Sequence, residues 1–212
     1  MPPSGDGWTV ASSGLITLPP HGPGLRIGLL GGSFNPPHSG HLLVSAYAVK
    51  RLKLHAIWWL ITKQNPFKSP HDYGVYARLE ACHRLCDALP YIRPVVLDTL
   101  LGSSRTFDTV TYLKHRLPYV QFVWIMGTDV LARAHEWHRW DELAALIPLA
   151  IKMRPGSVLN VMSSPALQKL APYRVGEQYA PSLLECRAPA WTLLHGPASS
   201  QSSTVLRRNA YL

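Results

Sequence analysis

The sequence predicts an α/β fold built on a doubly wound, mostly parallel sheet. Three observations predict it. Short apolar runs alternate with longer segments at helical spacing, the pattern of a sheet covered on both faces. The apolar runs are rich in β-formers and lack the polar alternation of a half-exposed strand, which suits parallel strands buried on both sides. The residues able to do chemistry follow those runs: Gly31-Gly32 after the first, Gly127-Thr128-Asp129 after the fourth, Arg154-Pro155 after the fifth and Ser202-Ser203-Thr204 after the sixth. Ligands in such sheets bind beyond the carboxyl ends of the strands, near the switch in strand order.

Each element has its own signal. "LRIGLL" (25–30) is an apolar run closed by two glycines and reads as the first strand. "HLLVSAYAVKRLKL" (41–54) has apolar residues at 42, 43, 46, 49, 52 and 54, with the bases off that stripe, and reads as an amphipathic helix. "AIWWLIT" (56–62) is the second strand, and "VYARLEACHRLCDAL" (75–89) a helix stopped by Pro90. "IRPVVLD" (92–98) is the third strand, and "FDTVTYLKHRL" (107–117) a helix ended by Pro118. "VQFVWIMG" (120–127) is the fourth strand, and "VLARAHEWHRWDELAAL" (130–146) reads as largely helical. "PLAIKMRP" (148–155) and "AWTLLHG" (190–196) supply the fifth and sixth strands, and 156–189 reads as loops with a short helix. No internal repeat is visible.

Composition bounds the class. At 212 residues and 47% hydrophobic, the chain suits one globular domain, assigned to 25–212. Residues 1–24 are rich in Pro, Gly and Ser with one acid and no Lys or Arg. They lack the basic region and apolar core of a secretory signal and read as a mostly disordered extension. No apolar stretch approaches the roughly 20 residues that span a bilayer. Three cysteines, with Cys82 and Cys86 four apart on a helix, fit small core residues in a reducing compartment, and hence the cytoplasm. The net charge of +9 suggests an anionic partner. Nucleic acid, an anionic surface and a polyphosphate ligand all remain open on charge alone, as does a merely solvated basic surface, because "KRLK" (50–53) is the densest run.

Residues 31–41, "GGSFNPPHSGH", carry the parts of an anion site. The segment is neither G-x-G-x-x-G nor a P-loop. Gly31 and Gly32 let the backbone turn and a ligand approach. Pro36 and Pro37 stiffen the loop. A helix begins near 39–41, and its free N–H groups and positive dipole end favour phosphate. His38 and His41, three apart, share a helix face and can donate to phosphate oxygens, while Gly40 leaves room for a flat ligand. A satisfied pair of capping histidines is the structural alternative. No Ser-His-Asp or paired-carboxylate arrangement is found.

"GGSFNPPHSGHL" (31–42) resembles the signature of the nucleotidyltransferase superfamily, whose H-x-G-H binds the phosphates of ATP. "SSTVLR" (202–207) resembles that superfamily's C-terminal S-x-T-x-x-R. "TKQNPFK" (62–68), "TFDT" (106–109), "GTDVLARAHEW" (127–137) and "RPG" (154–156) narrow the likeness to bacterial nicotinate-nucleotide adenylyltransferases. The resemblance runs from about Arg26 to Arg207. It implies a Rossmann-like nucleotidyltransferase fold and a reaction of NAD biosynthesis. ATP and nicotinate mononucleotide would give deamido-NAD and pyrophosphate, with Mg2+ carried on the phosphates rather than in a protein cage.

The resemblance also implies roles. His38, His41 and Arg207 would be catalytic, with His41 stabilising the transition state. Gly31, Gly32, Ser33, Phe34, Gly40, Lys68, Gly127, Asp129, Ser203 and Thr204 would bind ATP. Asn35, Thr106, Trp137 and Arg154 would bind nicotinate mononucleotide, with Trp137 stacking on the pyridine ring and Thr106 and nearby amides gripping its carboxylate. A helix N-cap is the alternative role for Asp129, and core or surface packing the alternative for Trp137. The family often has Tyr where Arg105 stands and an aromatic near Ala134. Other H-x-G-H transferases, acting on pantetheine phosphate or cytidylyl substrates, are disfavoured by the "TFDT" and "GTD…W" segments. A nucleic-acid-binding module would show clustered bases with interleaved exposed aromatics, and a scaffold protein would leave both phosphate motifs unexplained. The partners expected are thus the two nucleotides, with neither nucleic acid nor membrane.

Overall fold

In the computed structural model, residues 17–62, 74–154 and 161–197 are described. Six strands carry the fold: β1 (Arg26–Gly32), β2 (Ala56–Ile61), β3 (Ile92–Val95), β4 (Gln121–Gly127), β5 (Leu149–Lys152) and β6 (Trp191–Leu194). They form one sheet in the order β3-β2-β1-β4-β5-β6, and every neighbouring pair is parallel. β1 lies between β2, with Leu29 opposite Trp58, and β4, with Leu29 opposite Trp124. The chain therefore builds outward from β1 in one direction and then returns to build outward in the other. The switch in strand order falls between β1 and β4, where such sheets open a crevice.

The apolar runs are continuous because both faces of the sheet are covered. Successive residues of a strand point to opposite faces. Ile27, Leu29, Trp58, Leu60, Trp124, Met126, Leu149 and Ile151 fill one core. On that side lie α4 (Thr106–Arg116), α6 (Trp140–Leu146) and α7 (Pro165–Leu170), which contribute Val110, Leu113, Leu143, Ala166 and Leu170. Leu30, Ile57, Trp59, Ile61, Val123, Ile125 and Ala150 fill the other, against α1 (Ser39–Leu52), α2 (Val75–Cys86) and a 3-10 segment, Glu177–Glu185. Burying each such side chain contributes about 1.5–3 kcal/mol. Cys82 and Cys86 are buried there as free thiols, pushed up to about 12 and about 11 chiefly by desolvation, so they pack and do not react.

Several boundaries differ from the sequence reading, for tertiary reasons. β1 runs through Gly32, and α1 starts at Ser39 because His38 caps it. α2 ends at Cys86, and β3 stops at Val95, after which α3 (Asp98–Leu101) forms a single turn. The segment read as helical over 130–146 is interrupted. α5 (Thr128–Leu131) follows β4 directly, a short 3-10 turn covers Ala134–Glu136, and α6 begins at Trp140. No proline or glycine marks that break. Trp137 leaves helical geometry (φ −74°, ψ 147°) and Arg139 takes a left-handed one (φ 54°), while the Trp137 ring packs edge-on between Trp124 and Trp140. At the amino end, residues 17–24, which the sequence reading joined to the extension, rest on the domain. Leu18 packs against the first core, and the Gly24 amide donates to the Tyr119 carbonyl at 3.0 Å.

Candidate active site

The loop from β1 to α1 is held from inside. Phe34 has φ 46°, a left-handed conformation that non-glycine residues adopt at a cost of about 1–2 kcal/mol. Its ring is 1% exposed and stacks on Trp59, centroids 5.0 Å apart and planes 19° apart. The indole of Trp59 is itself fixed by donating to Ser45 Oγ at 2.8 Å. Burial of the ring thus offsets the backbone strain and sets the loop's course. Replacing Phe34 by alanine is expected to cost about 3–5 kcal/mol of stability, measured by denaturant unfolding, as for other buried aromatics. Buried Arg78 of α2 donates to the Ser33 carbonyl from the other side. Gly31 has a spatial reason: a Cβ there would lie 2.7 Å from the Trp124 ring.

His38 and His41 cap α1 reciprocally. His38 Nδ1 accepts from the Gly40 amide at 3.2 Å, and His41 Nδ1 accepts from the His38 amide at 3.2 Å. A ring nitrogen that accepts carries no proton, so each neutral imidazole holds its proton on Nε2. The rings lie 3.9 Å apart, and His41 also packs on Phe34 at 4.6 Å. Nδ1 of each ring therefore serves the helix, and the cap does not use Nε2–H. The arrangement differs from the expected one in one respect. The Gly40 amide is taken by His38 Nδ1 and the His41 amide by the His38 carbonyl at 2.9 Å, so these two amides are engaged within the cap.

Both imidazoles stay neutral at pH 7. Burial, then the Arg154 charge, lowers His38; burial, then His38, then Arg154, pushes His41 down to about 3. An unfolded histidine titrates near 6.5. Between the two values for His41 the unfolded chain binds the extra proton, so stability falls as pH drops from about 6.5 towards 3 and is unaffected above that window. His41→Gln should show a shallower loss of Tm between about pH 7 and pH 4.5 than the parent chain.

Arg154 joins the histidines to the ends of β4 and β5. Its guanidinium meets Asp129 Oδ2 at 3.3 Å, and its amide donates to Thr128 Oγ1 at 3.0 Å. Asp129 and Arg154 lie over the Gly127 backbone, in the space a side chain there would take. The structure thus brings Gly31, Gly32, Ser33, His38, Gly40, His41, Gly127, Asp129 and Arg154 together at the carboxyl ends of β1, β4 and β5. Asn35 is buried in the same loop, and Phe34 can offer only its backbone, since its ring belongs to the core.

A second group lies on the other side of the β1–β4 crevice. Trp137 is half-buried and meets Trp124 at 6.3 Å, and Trp124 is the ring that lies over Gly31. Thr106 begins α4, whose N-cap, Arg105, makes no side-chain cap. The neighbouring Phe107 lies under Arg139, 4.0 Å from guanidinium to ring centroid, and 6.4 Å from His138, so the start of α4 adjoins the segment after Trp137. Lys68, Ser203, Thr204 and Arg207 lie outside the described residues. Two supports were not foreseen. Arg78 sits at a stripe position of α2, one turn before Cys82, and a charge on an apolar stripe was the available signal. The Phe34–Trp59–Ser45 stack left none.

The fold and this crevice define a nucleotide-handling α/β protein, and comparison with known proteins gives the class. The cytidylyltransferase-like family matches residues 29–209, and the chain belongs to this family of nucleotidyltransferases. It is 47% identical over 186 residues to a protein of Methylorubrum extorquens, covering 86% of this chain and 99% of that one. It is 44% identical over 184 residues to one of Agrobacterium fabrum (86% and 98%) and 43% identical over 187 residues to one of Rhizobium johnstonii (88% and 94%). Each is named a probable nicotinate-nucleotide adenylyltransferase, and the chain is an enzyme of that group. The fold is also that of a Plasmodium falciparum nicotinic acid mononucleotide adenylyltransferase solved with NaAD: TM-score 0.64, 19% identity, covering 87% of this chain and 83% of that one.

Proposed function

We propose that the crevice transfers the adenylyl group of ATP to nicotinate mononucleotide, releasing pyrophosphate and forming deamido-NAD. The observation that carries this reading is the neutral, reciprocally capped pair His38 and His41 beside Arg154, at the switch point of the sheet. A phosphate oxygen of nicotinate mononucleotide attacks the α-phosphorus of ATP, the bond from that phosphorus to the bridging oxygen breaks, and pyrophosphate leaves. The nucleophile is a phosphate monoester with a second pKa near 6, so it needs no base at pH 7. The residues hold and orient the two phosphates and offset the developing charge.

Nε2–H of His38 and His41 donates to the ATP phosphates, with His41 at the transferring group. Gly31, Gly32, Ser33, Phe34 through its backbone, Gly40, Gly127 and Asp129 frame the ATP. Asn35, Thr106, Trp137 and Arg154 receive the pyridine nucleotide, Trp137 by stacking and the α4 terminus at the carboxylate. For Lys68, Ser203, Thr204 and Arg207, which lie outside the described residues, the sequence motifs support a phosphate-binding role. Among the described residues no group of three metal-ligating side chains occurs. Asp129 is a partly exposed carboxylate paired with Arg154. These described residues would fit Mg2+ that arrives on the triphosphate, with Asp129 on its side of the crevice. So bound, the ion would neutralise phosphate charge. We place the enzyme in the cytoplasm, where its nucleotide substrates are.

Incubation with ATP, Mg2+ and either nicotinate or nicotinamide mononucleotide tests this. Pyrophosphate release with the acid, faster than with the amide, is expected. Release with neither would overturn the reaction, and faster turnover of the amide would overturn the substrate.

A further inference from the structure

Lys152, the last residue of β5, is a lysine where the alternation of the strand calls for an apolar side chain. It is 2% exposed and points into the second core beside α1. Among the described residues it makes no ion pair. Its ammonium lies instead over three main-chain oxygens at the ends of β5 and β6: Gly196 at 3.1 Å, Leu194 at 3.5 Å and Met153 at 3.5 Å. It also sits 5.0 Å above the Tyr47 ring of α1. A buried charge outside ion-pair distance of a carboxylate carries a desolvation cost, which the nearby Glu177 charge offsets only in part. The role proposed above for the crevice does not use it.

The cluster grips the chain as it leaves β6. Gly196 has φ 122°, and a Cβ there would fall 2.5 Å from the Tyr47 ring, so only glycine fits under α1. Glu177, from the Glu177–Glu185 segment, accepts from the His195 amide at 3.2 Å and pairs with His195 Nδ1 at 2.6 Å. Arg51 of α1 pairs with the same carboxylate at 3.1 Å. The residues after β6 are therefore fixed from β5, α1 and the 3-10 segment at once. α1 begins with His38 and His41, and the sequence beyond Pro197 continues to Ser203, Thr204 and Arg207.

We propose that Lys152 is a positioning residue for adenylyl transfer: by binding the carbonyls of Leu194 and Gly196 beneath Tyr47, it sets where the chain bearing the second phosphate motif leaves the sheet relative to the helix bearing the first. The inference rests on the reading of those motifs given above. Lys152→Met keeps the length and removes the charge. It should lower kcat and raise KM for ATP by about tenfold or more, since small misplacements cost up to about 10²-fold. KM for nicotinate mononucleotide should stay unchanged, and Tm should be unchanged or higher. Gly196→Ala, which leaves the ammonium in place and pushes the exit off Tyr47, should give the same split and decides the matter if Lys152→Met does not fold. Wild-type kinetics in a folded variant, or equal rises in both KM values, would overturn the proposal. An inactive parent chain would instead overturn the reaction on which it rests.

Discussion

His41→Ala is expected to lower kcat about 10²–10³-fold, the loss seen when one donor to a developing oxyanion is removed. The effect has two separable parts. Alanine removes the acceptor for the His38 amide and so loosens the cap of α1. That loss belongs to stability, at about 0.5–2 kcal/mol, and appears as a lower Tm. The rate loss belongs to Nε2–H. His41→Asn separates them, because an asparagine oxygen can take the place of Nδ1 at the cap but offers nothing at the position of Nε2. Steady-state pyrophosphate release should therefore stay slow in His41→Asn while its Tm recovers. Recovery of the rate along with the Tm would mean that His41 acts only through the helix.

The second large effect is expected at Trp137. Its ring is braced edge-on by Trp124 and Trp140, 6.3 Å and 6.1 Å away, and is only half-buried. A ring held in that way can stack on a flat heterocycle with little loss of side-chain freedom. Stacking of a base on an aromatic contributes about 1–3 kcal/mol, so Trp137→Leu should raise KM for the pyridine nucleotide about tenfold or more. KM for ATP should change little. Leucine keeps apolar contact with the two flanking indoles, so unfolding should occur within a few degrees of the parent Tm. Equal changes in both KM values would assign Trp137 to packing alone.

Much of this arrangement was legible in the sequence because parallel sheets leave a strong trace. Strands buried on both faces read as continuous apolar runs, and the ends of "LRIGLL" and "VQFVWIMG" carry the glycines and polar residues of the crevice. The six strands of the described residues and their parallel pairing follow from that trace. What was illegible depends on contacts between distant residues. The break at Trp137 has no local signal, since the three indoles that make it come from β4, α6 and the segment between them. The left-handed Phe34 is explained only by Trp59, which lies on the neighbouring strand. His38 and His41 fell between the two patterns. Their spacing showed a shared face, yet whether they cap the helix or face a ligand could not be told from spacing. The geometry of the nitrogens shows that both rings cap the helix through Nδ1, which leaves Nε2 for the phosphate contact proposed above. Lys152 was read simply as part of a strand, because the fifth apolar run tolerates one charge without losing its pattern.

The protonation of the His38 and His41 rings decides whether they can donate to phosphate. Nitrogen-15 NMR of the histidine-labelled protein at pH 7, with assignments from His38→Gln and His41→Gln, measures it directly. Both side chains should be neutral with the proton on Nε2. A non-hydrolysable ATP analogue should shift both Nε2 resonances while Nδ1 of each keeps its acceptor character. Charged rings in the free protein, or Nε2 resonances that ignore the analogue at saturation, would contradict that role.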